Sequence, residues 1–243
     1  MPVRATSHGL LLAGLALAGG LGCGPSPQPL PPPIDISISG LRVSEPSPGV
    51  VRLYGGEGTV PSAETLEVIN ITGVTMPTIE RAEVTVEADG SFSLELEGTL
   101  TDQFRLQAFS ALAVTPPVDV VGSLGGAVVE APRIACLDAN QPDEFEITTN
   151  VGVPNNQPLI LSNNCDFGFL VPEAATLVSD GWLLDNTMIL PADPLPGEEL
   201  LFTIGFTPTV EGDETNVVIF RTRQEVQGID VWRVFTVRGR ALP

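Results

Sequence analysis

Three cysteines, Cys23, Cys136 and Cys165, are the residues of this 243-residue chain best suited to chemistry. A thiol can be acylated, oxidised to a disulfide or deprotonated to hold a metal, and its surroundings decide which. Two acidic turns have the oxygen ligands that calcium prefers: Asp138, Asn140, Asp143 and Glu144 in one, Glu211, Asp213 and Glu214 in the other. In the first turn Pro142 takes the fifth position of an EF-hand loop and Asp143 the sixth, where that loop needs glycine, so solvated turn residues are the expectation. Tyr54, Trp182 and Trp232 offer aromatic faces on which a sugar ring can stack, but single tryptophans in a β domain more often fill its core. Asn70-Ile71-Thr72 matches a glycosylation acceptor, yet it lies inside an alternating strand pattern.

What is missing narrows the chemistry further. The chain contains no lysine, and its only histidine is His8. Without lysine there is no Schiff-base amine and no phosphate-loop lysine. Beyond residue 8 no histidine can serve a nucleophile triad or ligate zinc or iron. Paired carboxylates remain the one route to hydrolysis, and the expectation is a protein that is not an enzyme and carries no cofactor and no metal. The formal net charge of −19 repels phosphate backbones, and no basic stripe interrupts it, which excludes nucleic acid as a partner.

The elements that position these residues begin with a leader. Arg4 supplies a positive start, Gly9 to Ala18 an apolar run too short to span a bilayer, and Gly20-Leu21-Gly22 small and apolar residues directly before Cys23. This arrangement resembles a bacterial lipoprotein signal peptide. The resemblance implies removal of residues 1–22, acylation of Cys23 and attachment to an envelope membrane; Gly24 in place of aspartate points to the outer membrane. Ala16-Leu17-Ala18 offers a rival cleavage site of the ordinary secretory kind, which would release a soluble chain. Residues 24–33 read GPSPQPLPPP, a composition that favours a semi-rigid polyproline spacer, so residues 23–33 form an acylated tether.

From Ile34 onward the pattern is strand-like, and helical periodicity is nowhere convincing. Ile34 to Ile38 alternates strictly, and Val50 to Tyr54, Thr65 to Thr72, Glu80 to Ala88, Ser91 to Glu97, Gln103 to Phe109 and Asp119 to Val121 follow. Asp89-Gly90 between two of these runs predicts a tight β-hairpin. The segments LEVINIT from Leu66, AEVTVEADGSFSLEL from Ala82 and FRLQAF from Phe104 resemble the middle and closing strands of bacterial immunoglobulin-like modules, with transthyretin-like carrier domains a close alternative. Gly122-Ser123-Leu124-Gly125-Gly126 reads as a flexible break.

A second series follows over Val128 to Cys136, Glu144 to Thr149, Pro158 to Ser162, Trp182 to Leu190, Leu200 to Phe206, Asn216 to Thr222 and Val231 to Val237, with a long connection over Asp166 to Gly181. GEELLFTIGFTPT from Gly197, Val217 to Thr222 and Val237 to Ala241 resemble the last strands of the immunoglobulin-like domains named after ASPM, SPD-2 and hydin. The expected fold is all-β: two immunoglobulin-like antiparallel β-sandwiches in tandem, over residues 34–122 and 123–243.

In an exported chain, Cys136 and Cys165 read as one disulfide closing a loop of about 30 residues. A redox pair would favour CxxC spacing, and a metal site needs more than two distant thiols. The expected role is that of a membrane-anchored envelope lipoprotein, structural or adhesive, acting without catalysis. Its partners would be the membrane, through the N-terminal lipid, and another envelope protein; a cell-surface carbohydrate-binding module is the alternative.

Overall fold

The computed structural model describes residues 34–72, 81–176, 180–186, 190–224 and 229–243. The leader, Cys23 and the proline tether lie outside the described residues. Sixteen strands build four sheets among the described residues. In chain order they are β1 (Leu41–Ser47), β2 (Val50–Gly55), β3 (Thr65–Asn70), β4 (Arg81–Thr85), β5 (Phe92–Glu97), β6 (Gln103–Phe109), β7 (Val118–Gly122) and β8 (Val128–Glu130). They continue as β9 (Leu137–Ala139), β10 (Glu144–Asn150), β11 (Asn155–Asn163), β12 (Phe169–Thr176), β13 (Trp182–Asn186), β14 (Glu199–Phe206), β15 (Gly212–Gln224) and β16 (Ile229–Leu242). The all-β expectation is met.

The first sandwich packs sheet 1 (β1-β2-β5) on sheet 2 (β4-β3-β6-β7-β8), and the second packs sheet 3 (β10-β16-β15-β12) on sheet 4 (β13-β14-β11-β9). Pairing is antiparallel except between β10 and β16, which run parallel from Glu144 opposite Thr236 to Asn150 opposite Leu242. Alternate residues of each strand fill the two cores. Leu53, Leu66, Phe104 and Leu106 lie in the first, and Phe169, Phe202, Phe220 and Phe235 in the second.

The two sandwiches are not beads on a string. The outward face of sheet 2 packs on the outward face of sheet 3, so the described residues form one compact unit of four stacked layers. Ile69 and Ile71 from the first sandwich meet Ala175, Val217, Ile219 and Val234 from the second, with Trp232 at their margin. Each large apolar side chain withdrawn from water here contributes roughly 1.5–3 kcal/mol. In the middle of this seam Arg105 on β6, 2% exposed, forms a two-pronged ion pair with Asp119 on β7 at 2.7 and 2.8 Å. The same guanidinium donates across the seam to the Thr236 hydroxyl (3.1 Å) and the Val234 carbonyl (2.9 Å) on β16.

Several expectations need correction. The boundary at residues 122/123 is displaced. Gly122 ends β7 and is buried, and a Cβ there would sit 2.1 Å from the Leu100 carbonyl oxygen, so glycine serves close packing rather than flexibility. Residues 123–127 are the turn between β7 and β8, closed by Ser123 N–H to the Ala127 carbonyl at 3.0 Å, with Gly126 at φ 79°. The first sandwich therefore runs through β8, and the crossing to the second lies between Ala131 and Leu137.

Asp89-Gly90 does form a tight turn, with Glu87 N–H bonded to the Ser91 carbonyl at 2.9 Å. The strands it joins separate, however: β4 pairs with β3 in sheet 2 and β5 with β2 in sheet 1. It is an arch between sheets, not a hairpin. Ile34 to Ile38 buries Ile36 as the alternation requires, but it joins no ladder and passes into a short 3-10 turn over Ile38–Gly40. Three strands lie where none was expected: β1, the short β9 and, within the supposed long connection, β12. β1 and β12 are edge strands with a proline (Pro46, Pro172) beside a register shift, a place where a residue without an N–H fits a sheet.

The seam generates two expectations. Arg105→Ala leaves the buried Asp119 carboxylate with only Arg133 at 3.6 Å and should cost about 3 kcal/mol in denaturant unfolding. The unsubstituted chain should lose both sandwiches in a single transition, because the seam couples them. Second, Glu67, on the seam face of β3 and 5% exposed, is hydrogen-bonded by Arg81 Nε at 2.7 Å. Burial nonetheless raises its pKa above the ordinary 4.5, against the opposing pull of Arg81. The folded chain thus binds this proton more tightly than the unfolded chain. That contribution to stability is present below pH 4.5 and is lost as pH rises through the raised folded value. Glu67→Gln should flatten this part of the stability curve in a pH series of unfolding measurements.

Candidate functional site

Cys136 and Cys165 form a disulfide, with their Cα atoms 5.0 Å apart. It ties the residue before β9 to the second residue past β11, within the second sandwich. The backbone beside it is ordered around Asn163, which is fully buried. Its side-chain amide donates to the carbonyls of Phe167 (3.0 Å) and Pro194 (2.8 Å) and its oxygen accepts from the Cys165 N–H (3.0 Å). The bond is therefore a local staple.

The acidic residues of the first turn are committed to other partners. Asp138 accepts from Asn164 at 2.7 Å, and Asn140 bonds the backbone of Pro158 and Ile160. Asp143 is bridged by Arg133 at 2.9 Å and Arg233 at 2.5 Å, and Glu144 pairs with Arg238. In the second turn Asp213 is held by Arg240 at 3.1 Å. Among the described residues no group of three or more His, Cys, Asp or Glu is placed to hold a metal ion.

The three aromatic residues do not share a platform. Trp182 lies against Phe206 in the second core, ring centroids 4.4 Å apart, and both rings cover Gly239, where a Cβ would meet them at 2.6–2.7 Å. Trp232 packs at the seam, 5.8 Å from the Arg221 guanidinium. Only Tyr54 faces solvent, at 37% exposure.

Tyr54 sits on the outer face of sheet 1, and the register there assembles a polar grid around it. One row runs Ser44, Arg52, Glu95 across β1, β2 and β5; the next runs Arg42, Tyr54, Ser93. Residues two apart on β2 share a face, which is why Arg52 and Tyr54 stand side by side. Arg52 donates through Nε (2.9 Å) and Nη2 to the same oxygen of Glu95. Its Nη1 and the other Glu95 oxygen, and the hydroxyls of Ser44, Thr85 and Ser93, have no protein partner among the described residues. Thr85 at the end of β4, with Glu87 and Ser91 on the arch to β5, walls one side of a groove of about 530 Å³ over this face. Sequence reading singled out Tyr54 but not its neighbours; period-two spacing finds Arg52, whereas Ser44, Ser93 and Glu95 depend on strand register.

Strand edges offer less. β1 is bridged at Arg42 to Ala127, and β12 at Val171 to Ala192. β5 and β10 carry Glu95, Glu97, Glu144 and Glu146, charges that discourage pairing with another chain. Among the described residues no helix is long and apolar enough to cross a membrane.

No protein-family model matches this chain, and no curated protein does. Solved structures show distant likeness. The ASH/PapD-like domain 7 of human CEP192 is 12% identical with a TM-score of 0.35, covering 49% of this chain and 96% of that one. A protein of unknown function from Porphyromonas gingivalis W83 is 14% identical with a TM-score of 0.35, covering 86% of this chain and 100% of that one. WR4, a C. elegans MSP family member, is 7% identical with a TM-score of 0.32, covering 44% of this chain and 98% of that one. The all-β sandwich architecture stands on the strand pairing itself.

Removal of the staple gives a direct check. Replacing both Cys136 and Cys165 by alanine should lower stability by about 2–4 kcal/mol in denaturant unfolding. Mass spectrometry of non-reduced peptides should recover the two cysteines linked.

Proposed function

We propose that this chain is a lipid-anchored bacterial envelope protein that presents a rigid β body to a partner and carries out no catalysis. One observation carries the presenting role: the buried seam between sheets 2 and 3, centred on Arg105, which makes the two sandwiches one body with fixed outer faces. A hinged pair of domains would lose orientational freedom on binding; a fused pair has already done so. The absence of lysine, and of histidine beyond His8, supports the non-catalytic reading. The leader before Cys23 supports the anchor, with Gly24 favouring the outer membrane. The proline-rich run 24–33 would then stand the body off the bilayer by roughly 3.1 Å per residue.

In sheets 1 and 3 the partner would meet a face rather than an edge, because the edges of β1 and β12 are bridged and those of β5 and β10 are charged. Multiple acyl chains on Cys23 would hold the protein firmly, whereas one holds weakly. Cys23→Ser should accordingly move the protein from the detergent phase to the aqueous phase of a Triton X-114 partition and abolish palmitate incorporation. An unchanged distribution removes the anchor from this account.

A further inference from the structure

We propose that the outer face of sheet 1 is a saccharide-binding site for a neutral oligosaccharide, with Tyr54 as its stacking surface and the Arg52–Glu95 pair as its hydrogen-bonding anchor. The proposal names the partner of the presenting, non-catalytic body and rests on that reading only for its cellular setting.

Three observations combine. Tyr54 is the only tyrosine in the chain, and it is exposed where Trp182 and Trp232 are packed. A sugar ring has an apolar C–H face and a rim of hydroxyls, so it needs one aromatic surface with donors and acceptors spaced around it. Arg52 lies two residues along β2 from Tyr54, on the same face. Because both of its bonds go to one oxygen of Glu95, the Nη1 donors on the far side of the guanidinium and the second carboxylate oxygen are left for other partners. Sugar hydroxyls, each donor and acceptor at once, can meet both kinds of group. Ser44, diagonal to Tyr54, and Ser93, diagonal to Arg52, with Thr85 on the groove wall, supply further hydroxyls without a protein partner among the described residues.

Charge selects a neutral ligand. The Arg52–Glu95 pair cancels within the site, Glu87 adds a negative charge at its wall, and the whole chain carries −19. An anionic glycan would have to approach against that field. A cationic ligand finds no enclosed carboxylate cluster in the groove. The shallow groove of about 530 Å³ admits a few sugar units lying flat rather than a single buried one.

The solitary tyrosine supplies the measurement. Full-length protein in detergent, grown with 3-fluorotyrosine, has a single fluorine resonance, and it reports on this face alone. Titration with maltohexaose, cellohexaose and chitohexaose should shift it for at least one of the three, with a Kd of about 1 mM or tighter. Polygalacturonate should bind more weakly. By calorimetry with the same hexaose, Tyr54→Phe should stay within about threefold of the parent, and Tyr54→Ala and Arg52→Gln should each weaken binding by about tenfold or more. These side chains lie on an exposed face, and an unchanged unfolding midpoint for each variant verifies that the fold is intact. No shift with any of the three hexaoses, a shift with polygalacturonate alone, or full binding by Tyr54→Ala would each overturn the proposal. None of these outcomes touches the anchor, which the detergent partition tests separately.

Discussion

The ion pair between Arg105 and Asp119 is the constraint on which the arrangement of the whole body depends. An arginine withdrawn from water needs a partner and donors fully used, or it costs several kcal/mol. Asp119 takes two of its bonds, and two of the remaining three donors find acceptors on β16 of the other sandwich, at Thr236 and Val234. The first sandwich taken alone would leave those donors without these acceptors. Around this polar centre the apolar side chains of the seam exclude water, which strengthens the hydrogen bonds they surround.

The central strands show what this demands of a sequence. β3, β6, β15 and β16 are buried on both faces, so they need apolar or paired side chains at consecutive positions. Val217-Val218-Ile219-Phe220 meets the requirement with apolar residues throughout, odd positions at the seam and even positions in the second core. β6 meets it differently: Phe104, Leu106 and Ala108 face the first core, while Gln103, Arg105 and Gln107 face the seam. Arg105 and Gln107 are admitted because their polar groups are bonded, Arg105 to Asp119 and β16 and Gln107 to the Thr115 carbonyl at 2.9 Å.

Positive charge in this chain is used almost entirely inside the molecule. Arg52, Arg81, Arg105, Arg133, Arg221, Arg223, Arg233, Arg238 and Arg240 are all paired with carboxylates. Around the crossing between sandwiches they chain together, Arg133 reaching from Asp143 to Asp119 and Arg233 joining it at Asp143. Few cations are left without a carboxylate partner, even where the side chain is half exposed, as at Arg52 and Arg240.

Much of the fold was legible from side-chain types alone. Alternation marked most strands, and the expectation of an exported chain pointed to the Cys136–Cys165 bond. The lack of histidine and lysine limited the chemistry, because a missing functional group stays missing in any fold. Local turn chemistry was legible at Asp89-Gly90, since positive φ is a property of the residues themselves. The sheet that each strand joins was not, because strand partners are chosen by burial across the whole chain; thus one tight turn became an arch between sheets. β1 and β12 were hidden by Pro46 and Pro172, which break a strand pattern in sequence but are tolerated where an edge leaves the missing N–H unneeded. Gly122 read as a flexible link only until the approach of Leu100 gave it a packing role. The grid around Tyr54 was set by cross-strand register, and the seam by two sheet faces that only the folded chain brings together.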